Sequence, residues 1–465
     1  MRLRVRILAA CVAALSVFSV GSAAAGTGAA QHSSTFGIGK VPKPQDDPFY
    51  KYTGDKPLGS YRPGTVLRTR TTDLHLETIP LPVRVVQLQY RTVDTKGNPD
   101  IAVTSVYEPN GKPSNKLVSY QSAYDALSPD CQPSYAIAGG FDPGFLATGE
   151  TIGVPLLFKF LNRGYTVAIP DFEGTKLHFT AGPENGKKVL DSVRAAVNSP
   201  DTGLTKDAKV ALGGYSGGAI GTEWAAEQAP KYAPDVNARL VLASAGGVFA
   251  NPIHNAKYID GEFVWPAVLP MAFVGLARSY GIDIQKYLSP LGKELFAKTQ
   301  NGCIVGTMAD GILTAFLKVH HNLRFSDLTK PRYPKPENIP EVVKVLNDVI
   351  MSSHGTPTVP MLFHEGTFGE LNGTIDNDKP GIGRGDGVMV AGDVRSVARK
   401  YCAAGTPVEY KESPLEHGGD AIPWAVDTVL KLPEAFRGEK PKSNCASIAP
   451  GNSLDPIKYE PPAKG

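Results

Sequence analysis

After its first 25 residues the sequence has no apolar run long enough to cross a bilayer, which takes about 20 residues. Cysteine is scarce: there are five in 465 residues and no C-x-x-C pair, which argues against a zinc or redox site. Charge is sparse as well, at 20% of residues. Residues 1–25 hold three arginines and no acid. Without them the formal charge falls from +3 to zero, with 45 bases against 45 acids. A neutral surface gives no reason to expect nucleic acid as a partner. No internal repeat is present.

What stands first in the chain is a secretory signal over residues 1–25. Arg2, Arg4 and Arg6 form its basic start, Ile7 to Val20 its apolar stretch, and Ala23-Ala24-Ala25 an A-x-A cleavage site. The mature chain is therefore expected outside the cell. Leu8-Ala9-Ala10-Cys11 mimics a lipoprotein box, but it comes too early, so Cys11 is read as part of the signal and no lipid anchor is expected. Four cysteines remain: Cys131, Cys303, Cys402 and Cys445. An even number in an exported protein suggests two disulfides, and spacing alone leaves three pairings open. A chain that is 42% hydrophobic can build a large core, and 49 glycines with 39 prolines promise many loops.

Residues 26–60 read as a polar leader and extended arm. Residues 61–248 open with an antiparallel ribbon: strands at Thr65–Arg70, Val83–Val93 and Ile101–Tyr107. The rhythm then becomes strand, helix, strand. Lys116–Gln121, Tyr165–Pro170, Lys209–Leu212 and Arg239–Ala243 are strands, and Val189, Val193 and Val197 share one face of a helix. Such alternation predicts an α/β fold with a mostly parallel sheet. It stops over residues 249–345, where Phe263 to Ile282 is strongly apolar and broken by Pro266 and Pro270. That insertion is read as a helical cap facing a lipid-like substrate. The sheet resumes over 346–436, with strands at Val359–Phe363 and Val408–Lys411 and helices at Val390–Tyr401 and Ala421–Lys431. A tail occupies 437–465.

Val210 to Ala219 reads as strand, sharp turn and helix around Gly214-Tyr215-Ser216-Gly217-Gly218. G-x-S-x-G alone is a weak signal in a glycine-rich chain. Between a strand and a helix it is the bend that lifts a serine hydroxyl above a sheet. The Gly217 amide then lies at the helix start, where unpaired donors favour an oxyanion. Serine needs a base, and the base needs a carboxylate, in the order Ser, acid, His. His417, in the expected loop Glu416-His417-Gly418-Gly419, is the one histidine past the last strands. After Val359–Phe363 the acids are Glu365, Glu370, Asp376, Asp378, Asp386 and Asp393. Asp386 is preferred because small residues flank it and a helix follows.

Several segments together resemble the fungal and actinobacterial secretory lipases. They are Asp47-Pro48-Phe49-Tyr50, Pro63 to Leu67, Tyr120-Gln121 through Tyr124-Asp125-Ala126 to Tyr135, the Ser216 bend, Asp386 to Cys402, and Glu416-His417. The resemblance implies an α/β-hydrolase core with a helical cap, a triglyceride or other ester substrate, and Ser216, Asp386 and His417 as triad. It also implies an oxyanion hole from Asp125 and the Gly217 amide, and disulfides Cys131–Cys303 and Cys402–Cys445. The chain departs from the pattern in that Glu365 to Arg384 separate the acid from its strand. The expected activity is that of a secreted serine ester hydrolase, most concretely a triacylglycerol lipase. An esterase, an acyltransferase or a non-catalytic binding protein on the same scaffold are the alternatives. No metal, organic cofactor or obligate protein partner is implied.

Overall fold

The computed structural model describes residues 41–76, 79–140, 150–304, 306–307 and 322–462. The signal segment 1–25, with Cys11, and the start of the leader lie outside them. Among the described residues nine strands form one sheet: β1 Val66–Leu76, β2 Ile79–Val93, β3 Pro99–Tyr107, β4 Lys116–Gln121, β5 Thr166–Pro170, β6 Lys209–Tyr215, β7 Leu240–Gly246, β8 Met361–Gly366 and β9 Val408–Ser413. Their order is β1-β2-β3-β5-β4-β6-β7-β8-β9. The first three are antiparallel, β3 meets β5 antiparallel, and every pairing from β5 to β9 is parallel. This is the mostly parallel sheet of an α/β-hydrolase.

The inner parallel strands β4, β5, β6 and β8 are buried on both faces because helices cover both, whereas the edge strand β9 alternates buried and partly exposed residues. The covering helices are α1 Glu150–Leu161, α2 Gly182–Asn198, α3 Gly217–Tyr232, α8 Ala391–Ala403 and α9 His417–Arg437. Successive side chains of a strand point to opposite faces. Leu117, Val210 and Leu212 accordingly pack with Val189 and Val193 of α2, Ala225 of α3 and Val397 of α8. Val118 and Ala211 pack on the other side with Phe160 of α1 and Trp424 of α9. The helical spacing of Val189, Val193 and Val197 is realised in α2, where all three are buried.

Between β7 and β8 the chain forms α4 Pro252–Ile259, α5 Val268–Tyr280, α6 Pro290–Thr299 and α7 Pro340–Asp348. Their apolar side chains, among them Met271, Phe273, Phe296 and Leu346, form a cluster that also takes in Leu127, Phe179 and Met389. Pro270 sits in the first turn of α5, where a missing N–H leaves no helical bond unmade. The pairs Cys131–Cys303 and Cys402–Cys445 are disulfides, with Cα atoms 6.0 and 5.7 Å apart. The first joins the segment after β4 to the segment after α6. Beside it the Leu127 N–H donates to the Gly302 carbonyl at 2.9 Å, and the Ile304 N–H to the Asp125 carbonyl at 3.2 Å. Among the described residues no helix is long and apolar enough to cross a membrane.

Candidate active site

β6 ends at Tyr215 and α3 begins at Gly217, so one residue makes the whole bend. Ser216 makes it at φ +56°, ψ −124°, a conformation that costs a non-glycine residue roughly 1–3 kcal/mol. The bend is held by the Ser216 N–H donating to the Gly246 carbonyl at 2.8 Å, and by the Ala219 N–H donating to the Ser216 carbonyl at 2.8 Å. A side chain at Gly214 would meet the Gly218 carbonyl, and one at Gly218 would meet the Gln121 carbonyl. The glycines of the motif are thus required by close backbone approach. Ser216 itself stays half-buried and reachable.

His417 is the first residue of α9 rather than part of a loop. Gly418 and Gly419 lower helix propensity, which is why the sequence reads as loop there. The Glu416 carboxylate offsets this by capping the helix through the Gly418 N–H. Burial of Asp420, Ala421 and Trp424 anchors the first turns. His417 Nε2 lies 2.7 Å from Ser216 Oγ. Its Nδ1 lies 2.5 Å from Asp386 Oδ2. A carboxylate can only accept, so Nδ1 carries the hydrogen and Nε2 is free to accept from the serine. The ring is fixed between Tyr215 and Trp265, each with its ring centre 5.3 Å away. The Tyr215 hydroxyl donates to the His417 carbonyl at 2.6 Å.

Asp386 is fully buried. Its second oxygen, Oδ1, accepts from the Val388 and Met389 amides at 3.0 and 2.7 Å. The other acids after β8 lie elsewhere. Glu370 pairs with Arg384 and Asp393 with His254. Asp376 and Asp378 are exposed. Glu365 is buried at the end of β8, accepting from the Val248 N–H at 3.0 Å. Burial first, and then the Asp386 charge, push Glu365 well above the usual carboxylate range. His364 bonds to Asp427 at 2.9 Å, as a strand-end residue.

Asp125 follows β4 at φ +36° and is buried. Its carboxyl lies against Gly217 so closely that a side chain there would collide with it. Oδ1 is buried with no hydrogen-bond partner among the described residues. Burial pushes the Asp125 carboxyl up to about 7, against the pull of a charged His417. Burial opposes the charged form of His417, but the charge and hydrogen bond of Asp386 outweigh it and hold the imidazole above its ordinary value.

A cavity with about 740 Å³ of space, part of it open to solvent, reaches Ser216, Gly217 and Asp125. Its remaining wall is almost wholly apolar, with Phe179 and Ile220 from the core, Phe249 from the segment after β7, and Leu269, Phe273 and Leu276 from α5. α5, which lies within the apolar stretch Phe263–Ile282, supplies part of that wall. Phe179, Thr180 and Ile304, which also line the cavity, carry no motif that could have signalled it. Among the described residues no group of three or more His, Cys, Asp or Glu could hold a metal ion.

A family model described as secretory lipase matches residues 147–381. Lipase 4 of Candida albicans is 31% identical over 417 residues, which span 87% of this chain and 84% of that protein. A Mycobacterium tuberculosis protein named as a probable inactive lipase is 30% identical over 421 residues, spanning 85% of this chain and 83% of its own. The crystal structure of Candida antarctica lipase A in its closed state superposes with a TM-score of 0.73 at 26% identity, covering 89% of this chain and 91% of that one.

Proposed function

The chain belongs to the secretory lipase family and is a carboxylic ester hydrolase, and we propose that it is a secreted triacylglycerol lipase working through Ser216, His417 and Asp386. The observation that carries this reading is the unbroken chain of hydrogen bonds from Ser216 Oγ through His417 to Asp386. Ser216 Oγ attacks the ester carbonyl carbon as its proton passes to His417 Nε2. Asp386 holds the imidazole in the accepting tautomer and stabilises its charged form. The Gly217 amide and the protonated carboxyl of Asp125 donate to the oxyanion. His417 then protonates the departing alcohol, and a water activated by the same imidazole releases the acid.

The long apolar wall from α5 and Phe179 favours an acyl chain over a small polar ester. On this reading residues 249–345 are a cap over the serine. Residues 61–248 and 346–436 are the two parts of the core, residues 26–60 an arm and residues 437–465 a tail. Residues 1–25 are removed on export. A serine-reactive alkyl phosphonate is expected to label the protein once, at Ser216, as read by peptide mass spectrometry. A protein left unlabelled would be a binding scaffold and not this enzyme.

The oxyanion role of Asp125 has its own signature. Its carboxyl donates only while protonated, so its contribution falls as pH rises through about 7. His417 accepts only while neutral, so activity also falls as pH drops below its raised value. A bell-shaped kcat/KM profile on a soluble ester is expected, with its alkaline limb set by Asp125. Asp125→Asn, whose amide donates at every pH, is expected to lose that limb. An unchanged limb in the variant would assign it to another group.

A further inference from the structure

Glu173 follows β5 and is buried behind the Asp125 loop. It holds the residue on each side of Asp125. The Tyr124 hydroxyl accepts from the Glu173 N–H at 2.7 Å. The Ala126 N–H donates to Glu173 Oε2 at 3.1 Å. The rings of Tyr124 and Phe172 meet edge to face, 5.2 Å between centres, beside these bonds. Glu173 is itself fixed from the core. Its carbonyl accepts from the His178 N–H at 2.9 Å and from the buried Lys188 ammonium of α2 at 3.4 Å.

Asp125 needs such a hold. A non-glycine residue at φ +36° keeps that conformation only where its surroundings impose it. Its Oδ1 has no hydrogen-bond partner among the described residues, so the backbone beneath sets where the carboxyl points. The segment after α6 holds that backbone from one side, through the Ile304 N–H and the Gly302 carbonyl. Glu173 holds it from the other. Glu173 Oε1 is likewise buried without a partner among the described residues, which costs the fold stability. Burial first, and then the charge of Asp125, push Glu173 well above the usual carboxylate range. A donor to an oxyanion works only when it is already aimed, so an error of an ångström in the loop is felt in turnover.

We propose that Glu173 is a positioning residue for ester hydrolysis, which by holding Tyr124 and Ala126 aims the Asp125 carboxyl at the oxyanion. This rests on the oxyanion role given to Asp125 above and goes beyond it. It assigns an effect on turnover to an acid that touches neither the substrate nor the triad.

The test uses the full chain and measures kcat and KM on p-nitrophenyl butyrate, together with inhibition by an alkyl trifluoromethyl ketone. The ketone oxygen becomes an oxyanion when the serine adds to the carbonyl carbon, so its binding reports on the oxyanion donors. Glu173→Leu removes the acceptor facing Ala126 and is expected to lower kcat about 10- to 100-fold, with KM within about twofold. The inhibition constant of the ketone is expected to rise in step. Glu173→Gln keeps an oxygen for the Ala126 N–H and is expected to restore kcat to within about threefold of the parent. Tyr124→Phe deletes one hydroxyl of the same bracket. It is expected to lower kcat by a smaller factor, and it carries the test should the leucine variant not fold. Combined with Asp125→Ala, either change is expected to add no further loss, because both act through one carboxyl. A lower Tm with kcat unchanged, a full additional loss in the Asp125→Ala background, or an equal loss in the glutamine variant would overturn the proposal. Should Asp125→Ala alone leave kcat unchanged, the oxyanion reading fails and this inference with it. Should Asp125→Ala lower kcat while Glu173→Leu and Tyr124→Phe do not, only the role of Glu173 falls.

Discussion

Ser216→Ala is expected to lower kcat on a soluble p-nitrophenyl ester by about four to six orders of magnitude. The change removes one oxygen and nothing that holds the fold. Both backbone bonds at the bend, from the Ser216 N–H and to its carbonyl, are kept. Alanine meets the same backbone strain at φ +56° that serine already bears. What would remain in the variant is the electrostatic help of the proposed Gly217 and Asp125 donors, worth on the order of 10³ over water. Equal Tm and circular dichroism for the two proteins would show that the loss is chemical. Retention of more than about one per cent of the activity would remove Ser216 from the mechanism.

Asp386→Asn is expected to cost about 10⁴ in kcat. An amide in that place can donate to Nδ1, which would turn the ring so that Nε2 carries the hydrogen and cannot accept from Ser216. The neighbouring buried acid supplies the control. Burial and the charge of Asp386 push Glu365 well above the usual carboxylate range, so glutamine, which keeps its shape and carries no charge, is the matched replacement. Glu365→Gln is therefore expected to stay within roughly tenfold of the parent, since no bond to His417 is lost. The reverse ranking of the two variants would transfer the acid's role to Glu365. Both measurements belong at a pH where His417 is neutral, above its raised value, so that the tautomer alone is compared.

The parts of the molecule that the sequence made legible are those whose physics is local. The apolar run before Ser216 and the helix-forming run after it define a strand and a helix with one residue between, and the glycines mark close backbone approach. The parallel strands were readable from short apolar runs separated by helical spacing. His417 could be found by position, but its helix could not be started correctly. Two glycines read as a loop, and the cap from Glu416 and the burial of Trp424 are tertiary facts. Asp386 competed with five other acids because the 20 residues from Glu365 to Arg384 hide which carboxylate returns to the histidine. Only the three-dimensional path, with Val388 and Met389 turning their amides onto Oδ1, distinguishes it. Phe179 and Thr180 reach the cavity through a segment in which Leu177 and Thr180 both take positive φ, a conformation their residue types give no reason to expect.

The proposed base is the first residue of α9, which follows the last strand, β9, while the proposed nucleophile stands near the middle of the chain and the Asp125 loop well before it. During synthesis the earlier strands and the bend at Ser216 can form long before the imidazole exists beside it. On the proposed triad, a growing or truncated polypeptide that lacks α9 has no base with which to activate Ser216. On the same reading, the group that activates Ser216 is the last to be made, on the helix that follows the strand paired with β8.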